Sequence, residues 1–370
     1  MATLFLHIGH GKTGTSWIQA CLRLNRDSMA QQGIIYASGE DRFIDQPNRI
    51  TSGNASNLFK SKEDFESQLS QNQIKTGEAL LFSSEHIFVY FIRSNAIDYF
   101  EEIAEKYGFD NIKVLLFIRN PITLAVSTWQ QRIKRRGEYN VSLSNLHEHP
   151  DIGWDRVFSV EYLITCLEKC RNVSLSIRNY SNCSDRLIDE VADWLEVPVE
   201  IFSVQPVNRI NRSLTWSEQS FQTSLNKIIG RSGRIFSDPL CEKLPDIIPE
   251  KILPPLEVQD AIWSSLSETI EQLNLQIPEK HRYQCDVRQP DPLPETLTFS
   301  KRQIEVVAES LGNEILNLRQ QLEKANKTIS NLKDEPAAPR NRLEYPIDNK
   351  SAYTRIKLIM KRITERFSTL

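Results

Sequence analysis

The chain has 370 residues, 40% of them hydrophobic and 25% charged, with a formal net charge of −3. That size suits one domain of ~250–300 residues with appendages, or two domains. The charge balance excludes a global basic field for nucleic acid, so any anion site has to be built locally.

No run reaches the ~18 apolar residues needed to cross a bilayer, and Met1 to Leu6 lacks the basic start of a signal peptide. The expected location is the cytoplasm. Six cysteines lie without framework spacing, and no His/Cys set accompanies Cys166 and Cys170, which favours plain thiols over a metal site.

Thr3 to Ile8 is an apolar run and predicts a buried strand, followed by a glycine-bearing turn and a helix from about Thr15 to Asn25. Further strands are predicted at Ala79–Phe82, Ile112–Ile118 and Val173–Ile177. Helices are predicted at about 159–170 and 184–196. Pro121 suits the first turn of the helix after the third strand. Strands alternating with helices imply an α/β fold, a mostly parallel sheet flanked by helices. Such sheets bind ligands beyond the C-terminal ends of their strands.

From about 213 to 275 the pattern is helical, and 286–295 carries Pro290, Pro292 and Pro294, a stiff linker that ends the globular part. Then Ile304, Ala308, Leu311, Ile315, Leu318, Leu322, Ala325, Ile329 and Leu332 recur at spacings of four and three. This predicts a coiled coil over 300–333 and with it a homo-oligomer; the alternative is a single helix packed on the domain. Residues 334–350 read as a linker. Residues 351–370 read as a basic amphipathic helix that either lies on the inner membrane face or docks on protein.

The chemistry concentrates in His7-Ile8-Gly9-His10-Gly11-Lys12-Thr13-Gly14-Thr15-Ser16, between the first strand and the first helix. Glycines let the backbone turn tightly, and a helix start offers free N–H groups and a positive dipole end. Lys12 adds a charge; Thr13, Thr15 and Ser16 add hydroxyls. The segment is equipped to hold a phosphate. It is not a Walker A loop, because Leu6 stands where that motif needs a glycine, and the strand at Val114–Ile118 ends in Arg119 where an aspartate would hold magnesium.

Two further groups fall at predicted strand ends. Arg119 can grip a phosphate bidentately, and Ser127, two turns into the next helix, can present its hydroxyl on the same side. Leu81-Phe82-Ser83-Ser84-Glu85-His86 places a carboxylate and an imidazole on the ligand edge. Either can serve as a general base, with Glu85 the first choice and His86 the second. His7 reads as a hydrogen-bonded core histidine, and the role of His10 stays open.

The loop matches His-Ile-Gly-x-x-Lys-Thr-Gly-Thr, and Arg119-Asn120-Pro121 with Ser127 matches a second signature. In both the chain resembles bacterial sulfotransferases that use 3′-phosphoadenosine 5′-phosphosulfate (PAPS), over residues 1 to roughly 230. The resemblance implies a P-loop-related, sulfotransferase-like fold with 1–290 as the catalytic domain. It implies PAPS as cosubstrate, held by Gly11, Lys12, Thr13, Gly14, Thr15, Ser16, Arg119 and Ser127, and adenosine 3′,5′-bisphosphate as product. It implies Lys12 and Glu85 as catalytic, with His86 beside them as the second candidate base, and a hydroxyl acceptor of carbohydrate class; no metal is expected, since a sulfuryl group carries less charge than a phosphoryl and Lys12 neutralises it. A nucleotide-dependent kinase of similar topology and a non-catalytic nucleotide-binding assembly protein are the other readings.

Overall fold

The computed structural model describes residues 2–37, 53–72, 74–75, 77–94, 96–206 and 212–334. Among them five strands form one all-parallel sheet: β1 (Ala2–Gly9), β2 (Ile34–Tyr36), β3 (Ala79–Ser83), β4 (Phe109–Ile118) and β5 (Val173–Asn179), in the order β2-β3-β1-β4-β5. The chain is an α/β fold with its sheet covered by helices on both faces. The helices of the first half are α1 (Thr15–Leu24), α2 (Arg26–Gln31), α3 (Lys62–Gln71), α4 (Glu85–Arg93), α5 (Ala96–Lys106) and α6 (Pro121–Arg136). The rest are α7 (Arg156–Leu167), α8 (Tyr180–Cys183), α9 (Leu187–Leu195), α10 (Trp216–Ile229), α11 (Ser237–Lys243), α12 (Leu256–Ser264), α13 (Ser267–Gln276) and α14 (Lys301–Asp334).

The strands form because their apolar residues are buried on both faces. Leu4, Leu6 and Ile8 of β1 and Ile112, Val114, Leu116 and Ile118 of β4 point into one core, with α5, α6 and α7 among its cover. Phe5 of β1 and Leu115 and Phe117 of β4 point into the other, beneath α1 and α9. Alternate side chains on opposite faces, all apolar, are what a parallel sheet between two helix layers requires.

The register then decides where the chemistry falls. His7 pairs with Ser83, Gly9 with Phe117, and Ile118 with Asn179. The strands therefore end together, and the loop 10–14, Ser84-Glu85, Arg119-Asn120 and Tyr180 emerge along one sheet edge.

The proline segment is a wall of the domain. Gln259 holds Arg288 in both directions (Nε2 to the Arg288 carbonyl at 2.9 Å, the Arg288 N–H to Oε1 at 3.1 Å), and Val287 and Leu293 pack on the larger core. A spacer free of the domain, the expectation from three prolines, is not what forms, because its apolar residues have a surface to cover.

The long helix α14 docks only by its first turns. Val306 joins Phe236, Leu240 and Leu244 in a small third core, and Gln303 donates to the buried Glu218 at 2.8 Å. Beyond that point Ile315, Leu318, Leu322 and Ile329 are 50–62% exposed, so the heptad stripe has no partner among the described residues of this chain. The linker expected over 334–350 and the amphipathic helix over 351–370 lie outside the described residues, apart from Asp334 at the end of α14.

Candidate anion-binding and group-transfer site

The loop after β1 is built from left-handed backbone. Gly11 (φ 79°), Lys12 (φ 62°) and Gly14 (φ 76°) all lie there. Glycine adopts this region freely, whereas a lysine is strained in it by roughly 1–2 kcal/mol. Both glycines also face close neighbours. A side-chain carbon at Gly14 would stand 2.7 Å from Leu187 Cδ1 and 3.0 Å from Tyr180 Cε2. One at Gly11 would stand 3.0 Å from Arg156 Nη1 and 3.2 Å from Glu85 Oε2.

His10 supports this loop from behind. It is buried, with Nδ1 3.2 Å from the Gly11 carbonyl and Nε2 accepting the Arg119 backbone N–H at 3.2 Å. The two bonds require a neutral ring protonated on Nδ1. Burial, aided by the charge of Arg156, lowers its pKa to about 3, so it stays neutral throughout the working range. His7 is likewise a core histidine, bonded to Ser83 Oγ at 2.7 Å.

The first helix begins with Gly14 as its N-cap and no side-chain cap, so its first-turn N–H groups face the loop unmet by any capping side chain. At the same sheet edge, α4 is capped by Ser84, α6 by Asn120 and α8 by Asn179. An uncapped helix start is the one suited to an anion.

Cations surround it. Lys12 is half-buried, with Nζ 3.4 Å from Gln131 Oε1. Burial, then the charges of Lys134 and Arg119, lower its pKa to about 7, while Glu85 opposes the shift. Arg119 donates from Nη1 to the Lys12 carbonyl at 2.7 Å and from Nε to Thr123 Oγ1 at 3.2 Å, over the Tyr180 ring at 5.2 Å. These bonds use two of its five N–H donors. Arg156 donates to the His10 carbonyl. Burial pulls the pKa of both arginines below the usual value.

The expected residues thus fall into two groups. Gly11, Lys12, Thr13, Gly14, Thr15, Arg119 and Glu85 converge on the loop, with Thr13 and Thr15 buried beneath it, their hydroxyls 3.4 Å apart. Ser16 is half-buried in the first turn of α1. Ser127 is buried on α6, on the face that also carries Thr123, Gln131 and Lys134 at helical spacing. Glu85 is exposed at the first position of α4. His86 is half-buried beside it, donates its backbone N–H to Ser84 Oγ, and keeps a buried Nδ1 without a partner.

Sequence reading missed Arg156, Gln131, Lys134 and Tyr180. Gln131 and Lys134 were reachable, being four and seven residues after Ser127 on one helix face. Arg156 carries no local signal, since only the packing of α7 against α4 and β5 brings it over Gly11.

No known family model matches the chain, and no curated protein matches it. Among solved structures it is similar to a sulfotransferase from Alicyclobacillus acidocaldarius, at 12% identity and a TM-score of 0.33 over 62% of this chain and 93% of that one. A likeness at that TM-score assigns neither an activity nor a residue role.

Proposed function

We propose that the protein is a sulfotransferase that moves the sulfuryl group of PAPS to a hydroxyl, with carbohydrate as the acceptor class. The observation that carries the reading is the juxtaposition over Gly11. There a carboxylate, Glu85, and a guanidinium, Arg156, meet a loop whose helix start is uncapped and whose half-buried lysine stands among cations. A site that only bound anions would gain nothing from a carboxylate at its mouth. A site that transfers a group to a hydroxyl needs one, to take the proton.

The residues present fit a ligand with several phosphate charges. Lys12 and the N–H groups of Thr15 and Ser16 would hold the 5′-phosphosulfate, and Arg119 with Ser127 the 3′-phosphate. Bound PAPS supplies an activated sulfuryl group. Glu85 accepts the proton of the acceptor hydroxyl as its oxygen bonds to sulfur and the bond from sulfur to the 5′-phosphate oxygen breaks. Lys12 then faces the charge left on the phosphate, where a donor placed in advance is worth most.

Calorimetric titration with adenosine 3′,5′-bisphosphate tests the binding half, and transfer of labelled sulfate from PAPS to oligosaccharides tests the chemistry. Saturable one-to-one binding is expected. Binding of ADP in its place would assign the kinase class, and no nucleotide binding at all would leave an assembly role.

A further inference from the structure

Two turns meet at one corner of the domain, the end of α6 and the end of α10. A side-chain carbon at Gly137, just after α6, would stand 3.0 Å from the Arg231 backbone nitrogen and 3.3 Å from the Gly230 carbonyl carbon. Asn226 fastens the two turns together. It is 1% exposed, and its Nδ2 donates to the carbonyls of Ile133 at 2.8 Å and Glu138 at 3.1 Å. Its Oδ1 accepts from Ser232 Oγ at 2.9 Å. A buried amide satisfied on both ends holds the backbone on both sides, so the corner is presented rigidly.

Its surface is apolar at the tip. Lys227, Ile228, Ile229, Gly230 and Arg231 are exposed in succession. Ile228 is 66% exposed and Ile229 47%, and Tyr139 on the other turn is exposed as well. A side-chain carbon at Gly230 would meet nothing within 4 Å, so the tip projects. A lone exposed apolar residue is ordinary, but two adjacent isoleucines at a projecting tip leave a joined apolar area in water.

Cations flank it. Arg136 ends α6, Lys227 precedes the isoleucines, and Arg231 and Arg234 follow them, all four exposed. None of these four side chains makes an ion pair or hydrogen bond among the described residues. Two carboxylates of the same region are already engaged. Asp238 accepts from Arg135 at 2.6 Å, and Glu138 accepts from the backbone N–H groups of Tyr139 and Asn140, each at 3.1 Å.

Charge and shape together choose the occupant. Unpaired cations call for an anion, but a soluble polyanion would leave the isoleucines in water. A folded partner would have to supply a hollow matched to the tip. An anionic bilayer yields around a projection: basic side chains stay among the headgroups while the apolar ones beside them sink below.

We propose that this corner docks the protein on an anionic membrane surface, with Ile228 and Ile229 inserted and Arg136, Lys227, Arg231 and Arg234 on the lipid headgroups. It rests on neither the nucleotide site nor residues 351–370.

The test sediments the full chain with phosphatidylcholine vesicles that do or do not contain phosphatidylserine. The chain should pellet with the anionic vesicles alone, and high salt should release it. Ile228→Ser with Ile229→Ser should weaken vesicle binding roughly tenfold and leave affinity for dextran sulfate, a soluble polyanion, unchanged. Arg231→Gln with Arg234→Gln should weaken vesicle binding by roughly tenfold as well. If the double isoleucine variant fails to fold, Ile228→Ser alone decides, with a loss of roughly threefold. The proposal is overturned if anionic vesicles do not bind, if neutral ones bind equally, or if the deciding isoleucine variant binds as wild type does. That last result with the arginine variant impaired would make the corner a polyanion site; with both variants intact it would move the contact to residues 351–370. Vesicle binding with no affinity for adenosine 3′,5′-bisphosphate would sink the sulfotransferase reading and leave this docking surface standing.

Discussion

Arg119 hydrogen-bonds the backbone carbonyl of Lys12 through Nη1 at 2.7 Å, so the end of β4 holds the loop after β1 in shape. The guanidinium thus has one task in the fold and, on the proposed function, a second on the 3′-phosphate. Arg119→Ala should weaken adenosine 3′,5′-bisphosphate about 10- to 100-fold, the range for a charge-assisted hydrogen bond. Adenosine 5′-phosphosulfate separates the two tasks. A smaller loss for that ligand fits the phosphate contact, and equal losses would leave Arg119 only the carbonyl of Lys12.

Lys12 sits at φ 62°, a conformation that strains any residue but glycine. Lys12→Gly should therefore stabilise the ligand-free protein. Relief of about 1–3 kcal/mol of backbone strain, with removal of a half-buried amine, outweighs the ~1 kcal/mol that glycine adds to the flexibility of the unfolded chain. A melting temperature about 2–4 °C higher is expected, with transfer lost. A lower melting temperature would mean that the Lys12 side chain holds the loop together.

The fold was legible where burial is two-sided. Thr3–Ile8, Ala79–Phe82 and Ile112–Ile118 are strands of the sheet interior and are apolar at nearly every position, whereas Val173–Ile177 belongs to the edge strand β5, where Ser174 and Ser176 alternate with apolar residues. The three-residue β2 was not legible, since Ile34-Ile35-Tyr36 is too short to show a period. In the site, Lys12, Glu85 and Arg119 were readable because each directly follows a strand. Arg156 was not, because its approach to the loop is a matter of tertiary packing. The heptad of α14 was readable as a helix, but its first turns bury Gln303 and Val306 against the domain while Ile304, a seam position, stays exposed.

Glu85→Gln should lower turnover by about 10²–10⁴, the usual contribution of a general base. Glu85 also supports the charge of Lys12, so its removal pulls the lysine pKa further down. Nucleotide affinity should be near wild type at pH 6, where Lys12 is protonated in both proteins, and weaker than wild type at pH 8. Full turnover in this variant together with a dead His86→Ala would transfer the base to His86.

The exposed stripe of Ile315, Leu318, Leu322 and Ile329 needs a partner, and heptad spacing fits a second copy of the same helix. Light scattering should give a dimer or larger assembly for the full chain and a monomer for a chain ending at residue 310, which keeps the docked turns. Equal monomer masses for both would dismiss self-association.

The pKa of Lys12, about 7 against an ordinary 10.5, makes binding and stability depend on pH in opposite senses. Between those values the unfolded chain keeps the lysine protonated while the folded one has released its proton. The unfolded state binds more protons, so this lysine makes stability rise with pH from about 7 to 10.5. A bound phosphate reverses the balance, because an anion beside the amine restores the charged form. Adenosine 3′,5′-bisphosphate should then bind with uptake of about one proton at pH 8, and its affinity should fall above neutrality. Calorimetry at pH 8 in HEPES and in Tris, buffers of different ionisation enthalpy and neither a phosphate that would compete for the loop, reads the uptake directly. Lys12→Arg is the control, since a guanidinium stays charged at both pH extremes and should take up no proton. Equal heats in the two buffers for wild type would mean that Lys12 is already charged in the free protein, or that the nucleotide does not reach it.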